Sequence, residues 1–544
     1  MPRWPLQQPL SRIFDRMRAG AILKLPKRIL DINWPSKGQC CTMERSRKCL
    51  KYLVAGLAAC IVCQVVLLAI SLPGQRVQGD EAAFAEFAYW QANVGYLRSE
   101  LFRGLLHYED QILLYHKLFQ WLGAAQVKIF GFHLWPLRAL SLAAMAVLIV
   151  LLWRYFGYES RTLTKDRERS RLEFLIATAF LLLAPLTFTF AKFYRPEMIQ
   201  AAFGLGSFIA LRKGIDRPGL GWKLTAGALA GAAMLTHLNG VVFVLSGAGL
   251  LMIRRRWIAL LWYSLAAAAV LTLFFVDIVG KFDLFWHQYA DDPTFGEGER
   301  TIQGTLGKLL DEHKRLFRKP EIIFTSIVFF AAYFTNLAYQ RRRLNTLHIY
   351  TALLIIALGA LAPAKTTPYA ILLFPFFAIE IAELGGGLID GELSVPRWVR
   401  AALAAATVVF VLHSVGAAVV NAFTDKQDWV KDNRRVAERL PPRTHVLAPL
   451  DFVLNEIENF RISGLRVPHW RLCEWSKTPY TFDRLARYAD SIGAEAVILD
   501  RDERRWLQSY PTTLGEMAGP YQLVEKFGDG GLWLWLRRSP RTVQ

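Results

Sequence analysis

The chain has 544 residues, of which 53% are hydrophobic, and its mean hydropathy is positive at +0.24. The formal net charge is +20, but much of the lysine and arginine lies in short loops between apolar runs, so the charge reflects membrane topology and gives no reason to expect a nucleic-acid partner. Five of the six cysteines precede or lie inside the first apolar run, which argues against a disulfide framework.

The N-terminal residues 1–48 are basic and lack an apolar stretch of membrane length. We expect them to be disordered. The run from Leu53 to Leu72 follows a basic cluster at residues 45–51 and is too long for the core of a typical signal peptide. It therefore predicts an uncleaved signal anchor with its N-terminus on the cytoplasmic side.

Apolar stretches of roughly 17–25 residues recur up to position 422, as a bilayer core of about 30 Å requires. They predict a polytopic α-helical membrane protein whose transmembrane domain covers residues 49–424. The predicted spans are 50–72, 134–156, 172–192, 197–213, 222–238, 239–253, 257–280, 321–340, 346–363, 367–386 and 398–422.

The basic loops test this arrangement. With a cytoplasmic N-terminus, the Lys- and Arg-containing loops at 154–171, 211–223, 254–256, 341–343 and 396–400 all fall inside, as the positive-inside rule predicts. This holds only if the amphipathic run 111–130 lies along the membrane surface and does not cross. Eleven spans, with juxtamembrane helices in an outer loop at 73–133, then place the C-terminal end outside.

After residue 424 the membrane-length runs stop, and residues 425–544 predict a small soluble α/β domain. Its start, "DWVKDNRRVAERL", predicts an amphipathic helix, while "THVLAPL" and "AEAVILD" predict buried strands. The segment "YQLVEKFGDGGLWLWLRR" predicts a hairpin about a glycine-rich turn.

Two adjacent carboxylates, Asp80 and Glu81, begin the predicted outer loop in the sequence "GDEAAFAEFAYW". Acidic residues are favoured in the first turn of a helix, so they could do no more than cap it. A carboxylate at an outer juxtamembrane helix could also deprotonate an acceptor hydroxyl during group transfer.

A set of ordered motifs gives the second interpretation more weight. The "GDE" after the first span, "YHKLFQWLGAAQVKIFGFHLWPLRALS", "RPE" at 195–197 and "KTTPY" at 365–369 together resemble the GT-C membrane glycosyltransferases. Within that superfamily the chain is similar to glycosyltransferase families 39 and 83, which contain protein O-mannosyltransferases and lipid A aminoarabinose transferase. The resemblance covers roughly residues 50–390.

The resemblance implies transfer of a sugar, with inversion, from a polyprenyl-phosphate donor at the outer leaflet. It assigns the catalytic role to Asp80, with Glu81 beside it, and donor-phosphate binding to Lys365, Arg195 and Tyr369. Acceptor binding would fall to Glu197, Glu109, Asp110, His116 and His237. The match is looser at 116–118, where "HKL" lacks the proline usual in the family.

Each of these residues also has an ordinary structural interpretation. Lys365 could extend to the interface as lysines at span ends do, Arg195 and Glu197 could form a local salt bridge, and Glu109 and Asp110 could be loop charge. The sequence does not decide whether the protein uses a divalent cation. Some relatives use one, but no second histidine accompanies His237 at metal-ligand spacing.

We therefore expect a glycosyltransferase of the bacterial inner membrane, with residues 425–544 in the periplasm. Its partners would be the donor, membrane lipids and a membrane-associated glycan, lipid or protein acceptor; lipopolysaccharide is one such acceptor. A transporter or flippase of lipid-linked saccharides is a competing interpretation, although no repeated halves are evident. A non-catalytic scaffold is another.

Overall fold

The computed structural model describes residues 43–162, 167–217, 219–291, 302–339, 345–362, 365–391, 393–424, 429–528 and 531–538. The predicted disorder of residues 1–48 falls almost entirely outside these ranges, as do the basic loop at 341–343 and part of the one at 154–171. By its contacts the chain divides into two units, 1–56 and 57–544, and helix α1 (Met43–Ser71) runs from the first into the second.

The apolar part of the chain is helical. Its helices are α2 (Gly79–Val94), α3 (Lys117–Phe130), α4 (Leu134–Thr162), α5 (Arg167–Leu183), α6 (Pro185–Phe190), α7 (Pro196–Asp216), α8 (Leu220–Thr236), α9 (Val241–Ile253), α10 (Trp257–Leu271), α11 (Phe282–Asp291), α12 (Ile302–Leu310), α13 (Glu312–Phe317), α14 (Pro320–Tyr339), α15 (Thr346–Leu361), α16 (Phe374–Ile389) and α17 (Arg397–Thr424). The predicted α-helical fold class is confirmed.

Each predicted span corresponds to a helix, with three departures. The predicted span 257–280 is α-helical only as far as Leu271 and continues as a 3-10 turn over Thr272–Phe275. Pro185 separates α5 from α6 within the predicted span 172–192, because proline cannot donate the helical hydrogen bond. The predicted span 367–386 begins as a 3-10 turn over Thr367–Leu372 before α16. In the described part of the chain, five helices are long and apolar enough to cross a membrane by themselves, and Leu238–Ile253 and Thr346–Leu361 are shorter apolar helices.

The run predicted to lie along the membrane forms only 14 residues of helix, from Lys117 to Phe130. A helix of this length extends about 21 Å, which is too short for a hydrocarbon core of about 30 Å. The predicted helix start at residue 111 was wrong by six residues, because the backbone over 111–116 forms hydrogen bonds with the same loop and with α11. Examples are the hydrogen bonds from Ile112 N to Leu97 O (2.7 Å) and from Leu113 N to the Gln288 side chain (2.9 Å).

The C-terminal part forms a mixed sheet with helices α18 (Trp429–Ala437), α19 (Val453–Glu456), α20 (Arg466–His469), α21 (Phe482–Ser491) and α22 (Arg501–Trp506). Its strands are β1 (His445–Ala448), β2 (Arg461–Gly464), β3 (Ala496–Leu499), β4 (Met517–Ala518), β5 (Tyr521–Phe527) and β6 (Leu532–Arg537). The strand order is β2-β1-β3-β6-β5-β4, with β2, β1 and β3 parallel and the others antiparallel. The predicted amphipathic helix, both predicted strands and the hairpin are all present.

Helices α8 and α10 pack closely against each other at two glycines. Gly227 and Gly231 of α8 face α10, and a Cβ atom would lie 2.1 Å from the Tyr263 carbonyl oxygen at Gly227 and 2.8 Å from that of Ala267 at Gly231. Two glycines four residues apart let two membrane helices approach closely.

We predict that Gly227→Val destabilises the protein by about 1–3 kcal/mol, because the new side chain collides with the backbone of α10. The measurement is the melting temperature of the full-length protein in detergent. Gly221→Val is the matched control, since nothing lies within 4 Å of a Cβ at that position of the same helix. Equal melting temperatures for the two variants would contradict the predicted packing.

Candidate active site

The centre of the site is an arginine shared by two carboxylates. Arg195 Nη1 donates to Asp80 Oδ2 (2.6 Å), and Arg195 Nη2 donates to Glu197 Oε1 (2.8 Å). Asp80 lies in the first turn of α2, while Arg195 is the residue before Pro196, which begins α7. The extended backbone of Arg195 (φ −144°, ψ 151°) is the conformation that a following proline favours.

Burial and charge set the protonation of these groups. The side chain of Arg195 is 10% exposed and that of Glu197 is fully buried, whereas that of Asp80 is 59% exposed. Burial disfavours the charged form of Arg195, but the carboxylates of Glu197 and Asp80 outweigh it and raise the pKa of Arg195. Loss of solvent opposes ionisation of Asp80, yet the Arg195 guanidinium prevails and lowers the pKa of Asp80. Asp80 is thus an ionised carboxylate that solvent can reach.

Glu81 has a different environment from its neighbour. Both of its oxygens accept from the Arg138 guanidinium, at 2.7 and 2.8 Å, and one also accepts from the backbone N–H of Tyr194 at 2.9 Å. Its other oxygen is 3.5 Å from the Gln78 N–H, which completes a capping box at the start of α2. These contacts fix the turn that presents Asp80 and hold Glu81 away from solvent.

Aromatic and imidazole rings pack beside the arginine. The rings of His116 and His237 stack with centroids 4.2 Å apart, and Tyr369 Oη lies 3.4 Å from His237 Nε2. His237 Nδ1 accepts from the Asn239 N–H (3.0 Å), which fixes that ring at the turn between α8 and α9. Burial lowers the pKa of His116, and His237 and Arg195 lower it further. His116 is therefore neutral at physiological pH.

A second charged cluster adjoins Tyr369. Arg315 lies over the Tyr369 ring at 5.6 Å, and its Nε donates to Glu312 Oε1 at 2.7 Å. Lys365 Nζ lies 3.1 Å from the other Glu312 oxygen and also donates to the Gly359 carbonyl (2.6 Å). Burial lowers the pKa of Lys365, and Glu312 partly offsets this. Tyr369 thus lies between the Asp80–Arg195–Glu197 group and a pair of cations.

The structure brings together most of the residues that the sequence predicted for the site. Asp80, Arg195, Glu197, His116, His237 and Tyr369 form one contiguous group, which Arg315 extends to Lys365. Glu109 and Asp110 make local contacts instead: Glu109 accepts from the Gly104 N–H (3.0 Å), and Asp110 pairs with His107 (3.3 Å). Their predicted acceptor-binding role stays a prediction.

One cation of this cluster was not predicted as a site residue. Arg315 belongs to the basic run "DEHKRLFRKP", yet its side chain is fully buried while Arg318 in the same run is exposed. Lys117, in "HKL", is also fully buried, and its Nζ is 2.6 Å from Asp277 Oδ2.

Within the described ranges, no group of three or more His, Cys, Asp and Glu side chains could hold a metal ion. The site therefore consists of ion pairs, a tyrosine and imidazoles, arranged at the end of the helical bundle that carries residues 73–133. We call this the predicted outer end.

Comparison with known proteins supports the resemblance inferred from the motifs. Residues 117–279 match the family model described as dolichyl-phosphate-mannose-protein mannosyltransferase. No curated protein sequence matches the chain.

Solved structures confirm the fold. ArnT from Cupriavidus metallidurans in the apo state superposes with a TM-score of 0.56 and 14% identity, covering 88% of this chain and 97% of that one. The same protein bound to undecaprenyl phosphate gives a TM-score of 0.55 and 13% identity, covering 89% and 98%. At these identities the likeness shows the fold, and the GT-C type fold expected from the sequence is confirmed.

We predict that Glu81→Gln destabilises the protein by about 3 kcal/mol, because it leaves the nearly buried Arg138 without its carboxylate partner. Asp80→Asn, one residue away, serves as the matched control: the Asp80 side chain is largely exposed, and Arg195 keeps Glu197 as a partner. Melting temperatures of both variants in detergent test this. A larger loss for Asp80→Asn would contradict the structural role given to Glu81.

Proposed function

We propose that this multi-pass membrane protein is an inverting glycosyltransferase that moves a sugar from a polyprenyl-phosphate donor to an acceptor at the outer face of the membrane. The observation that carries the proposal is the exposed carboxylate of Asp80, held by buried Arg195 and separated by Tyr369 from the cations Arg315 and Lys365. A carboxylate on one side of Tyr369 and a cationic site on the other suit attack by an acceptor hydroxyl and departure of a phosphate.

On the acceptor side, the oxygen of an acceptor hydroxyl forms a bond to the anomeric carbon of the sugar, and its proton passes to the Asp80 carboxylate. A lowered pKa makes Asp80 a weak base. Its carboxylate therefore acts first by orienting the hydroxyl, and it takes the proton as the new bond forms. Glu197 holds Arg195, and through it the position of Asp80.

On the donor side, the bond between the anomeric carbon and the phosphate oxygen breaks, and polyprenyl phosphate leaves with an added negative charge. Cations in a site of low dielectric stabilise such charge strongly. Arg315 and Lys365 are placed for this role, with the phosphate competing with Glu312 for their donors. A structure of the same fold that holds undecaprenyl phosphate supports a donor of this class.

The short loops between spans favour a bacterial inner membrane. In that membrane the positive-inside pattern puts the predicted outer end and residues 425–544 in the periplasm. The acceptor would be a membrane-associated glycan such as lipopolysaccharide, a lipid or a protein, and the sugar a hexose or a pentose. Glu109 and Asp110 lie in the same loop as Asp80 and remain candidates for contacts to the acceptor.

We predict that Asp80→Asn lowers transfer from labelled polyprenyl-phosphate sugars in membranes by about 100-fold or more, because the acceptor loses its orienting and proton-accepting group. Asp283→Asn, an exposed acidic residue in the first turn of α11, is the control and keeps normal transfer. Unimpaired transfer by Asp80→Asn would refute the assignment.

We further predict that Arg315→Gln raises the KM for the donor by about tenfold or more, since one charge-assisted contact to phosphate is lost. Arg318→Gln removes the same charge from an exposed position three residues away and is expected to leave KM unchanged. Initial rates at varied donor concentration measure both. An equal KM for the two variants would exclude Arg315 from the donor site.

A further inference from the structure

The sheet of the C-terminal domain approaches Asp80 through the ends of its parallel strands. The Gly464 N–H, at the end of β2, donates to the Leu101 carbonyl (2.9 Å), and Trp470 stacks on Phe102 with centroids 5.8 Å apart. Leu450, just after β1, lies 3.5 Å from the position of a Cβ on Gly79. The carboxyl ends of parallel strands are where α/β sheets bind ligands, and here that edge lies next to Asp80.

Arg466 follows β2 at this edge and is held by two indole rings. Its guanidinium carbon lies 4.9 Å from the ring centroid of Trp506 and 5.8 Å from that of Trp470. The residue is partly exposed. Among the residues that the structure describes, no hydrogen-bond acceptor or ion-pair partner engages it. Stacking fixes the plane of a guanidinium and leaves its N–H groups free at the edge.

The carboxyl groups around Arg466 leave its charge largely uncompensated. Asp80 is already paired with Arg195, and Arg466 is the second cation that lowers the pKa of Asp80. Glu503 is 8% exposed, and burial raises the pKa of its carboxyl well above the usual range. Burial likewise raises the pKa of Asp451, a charge neighbour of Glu503, to about 7. Both carboxyl groups therefore hold their protons to higher pH than a free acid does, which weakens the negative charge near Arg466.

Other charged residues at this edge have protein partners, and Asp500 after β3 accepts from the Glu503 N–H (2.6 Å). Asp502 forms ion pairs with Arg76 and with Arg505. Glu197 is bound to Arg195. Arg466 is consequently the cation beside Asp80 whose donors are available to a ligand.

We propose that Arg466 binds a carboxylate or phosphate group of the acceptor and so selects acceptors that carry an oxyanion next to the reacting hydroxyl. This rests on the proposed function, which it extends by assigning acceptor recognition to the C-terminal domain. The planar guanidinium matches a carboxylate or phosphate with two parallel hydrogen bonds, whereas a neutral hydroxyl would fill one donor and leave the charge unmatched.

The competing explanation is that Arg466 only offsets the buried acids of the domain. That structural role predicts a loss of stability on substitution but no response to added anions. The two explanations therefore differ in ligand binding, which can be measured without knowing the acceptor.

The experiment measures the melting temperature of the full-length protein in detergent with inorganic phosphate, with acetate and with sodium chloride at matched ionic strength. An Arg315→Gln background removes a contribution from the donor phosphate site. We expect phosphate, acetate or both to raise the melting temperature by about 2–4 °C over sodium chloride. We expect this rise to disappear in Arg315→Gln/Arg466→Gln. Phosphate and acetate identify which oxyanion the site prefers.

Arg315→Gln/Arg471→Gln is the matched control, because Arg471 is an exposed arginine five residues further along, and it should keep the full rise. Arg466→Lys keeps the charge without the planar guanidinium and should keep part of the rise in melting temperature. This variant distinguishes loss of the anion site from misfolding of the glutamine variant. An equal rise with and without Arg466, or none in the Arg315→Gln background, would overturn the proposal.

Asp80→Asn separates this proposal from the proposed function. That variant should lose sugar transfer but keep the response to oxyanions. If Asp80→Asn transfers normally while the response still depends on Arg466, the catalytic assignment fails and the anion site stands. If transfer is lost and the response does not depend on Arg466, the catalytic assignment stands and the anion site fails.

Discussion

The arrangement at the predicted outer end depends on one desolvated guanidinium. Arg195 lies between a carboxylate on α2 and another on α7, residues that are far apart in the chain. A buried arginine is costly unless it is paired, so the fully buried carboxylate of Glu197 keeps Arg195 in place at this end of the bundle. The same requirement fixes Asp80 while leaving one face of its carboxylate in solvent. Stability and the placement of the proposed reacting group thus have a common cause.

The hydropathy pattern was sufficient to predict the helices, because each span must satisfy its own backbone hydrogen bonds within the apolar layer. It also placed Asp80, Arg195 and Lys365 at one end of the bundle through the alternation of basic loops. It could not assign Glu81, since its partner Arg138 is 57 residues away and only the fold brings the two together. In the sequence, an acidic residue in the first turn of a helix looks the same whether it caps the helix, forms an ion pair or takes part in a reaction.

The sequence alone could not identify Arg315 and Arg466 as site residues, for a related reason. Four cations lie in "KRLFRK", and no spacing rule states which of them points inward when the run is broken into α13 and a turn. Arg466 belongs to a domain that was recognised by composition, but its relevance comes from the edge of the sheet that faces α2. Contacts such as the hydrogen bond from Gly464 to Leu101 determine which edge of the sheet packs near α2. Such contacts join distant parts of the chain and leave no local sequence pattern.

A second set of buried polar contacts bears on the choice between enzyme and transporter. In the helical bundle, His348 Nδ1 lies 2.8 Å from Glu380 Oε1, and Tyr155 Oη donates to Glu383 Oε1 at 3.0 Å, so that α15 and α4 are both tied to α16. Alternating access requires groups of helices to rock against each other about a central site. Breaking several buried charged contacts in each cycle would oppose that motion, whereas transfer at a fixed site needs only the substrates to move. The distribution of ionisable groups therefore favours a rigid scaffold with its chemistry at one end.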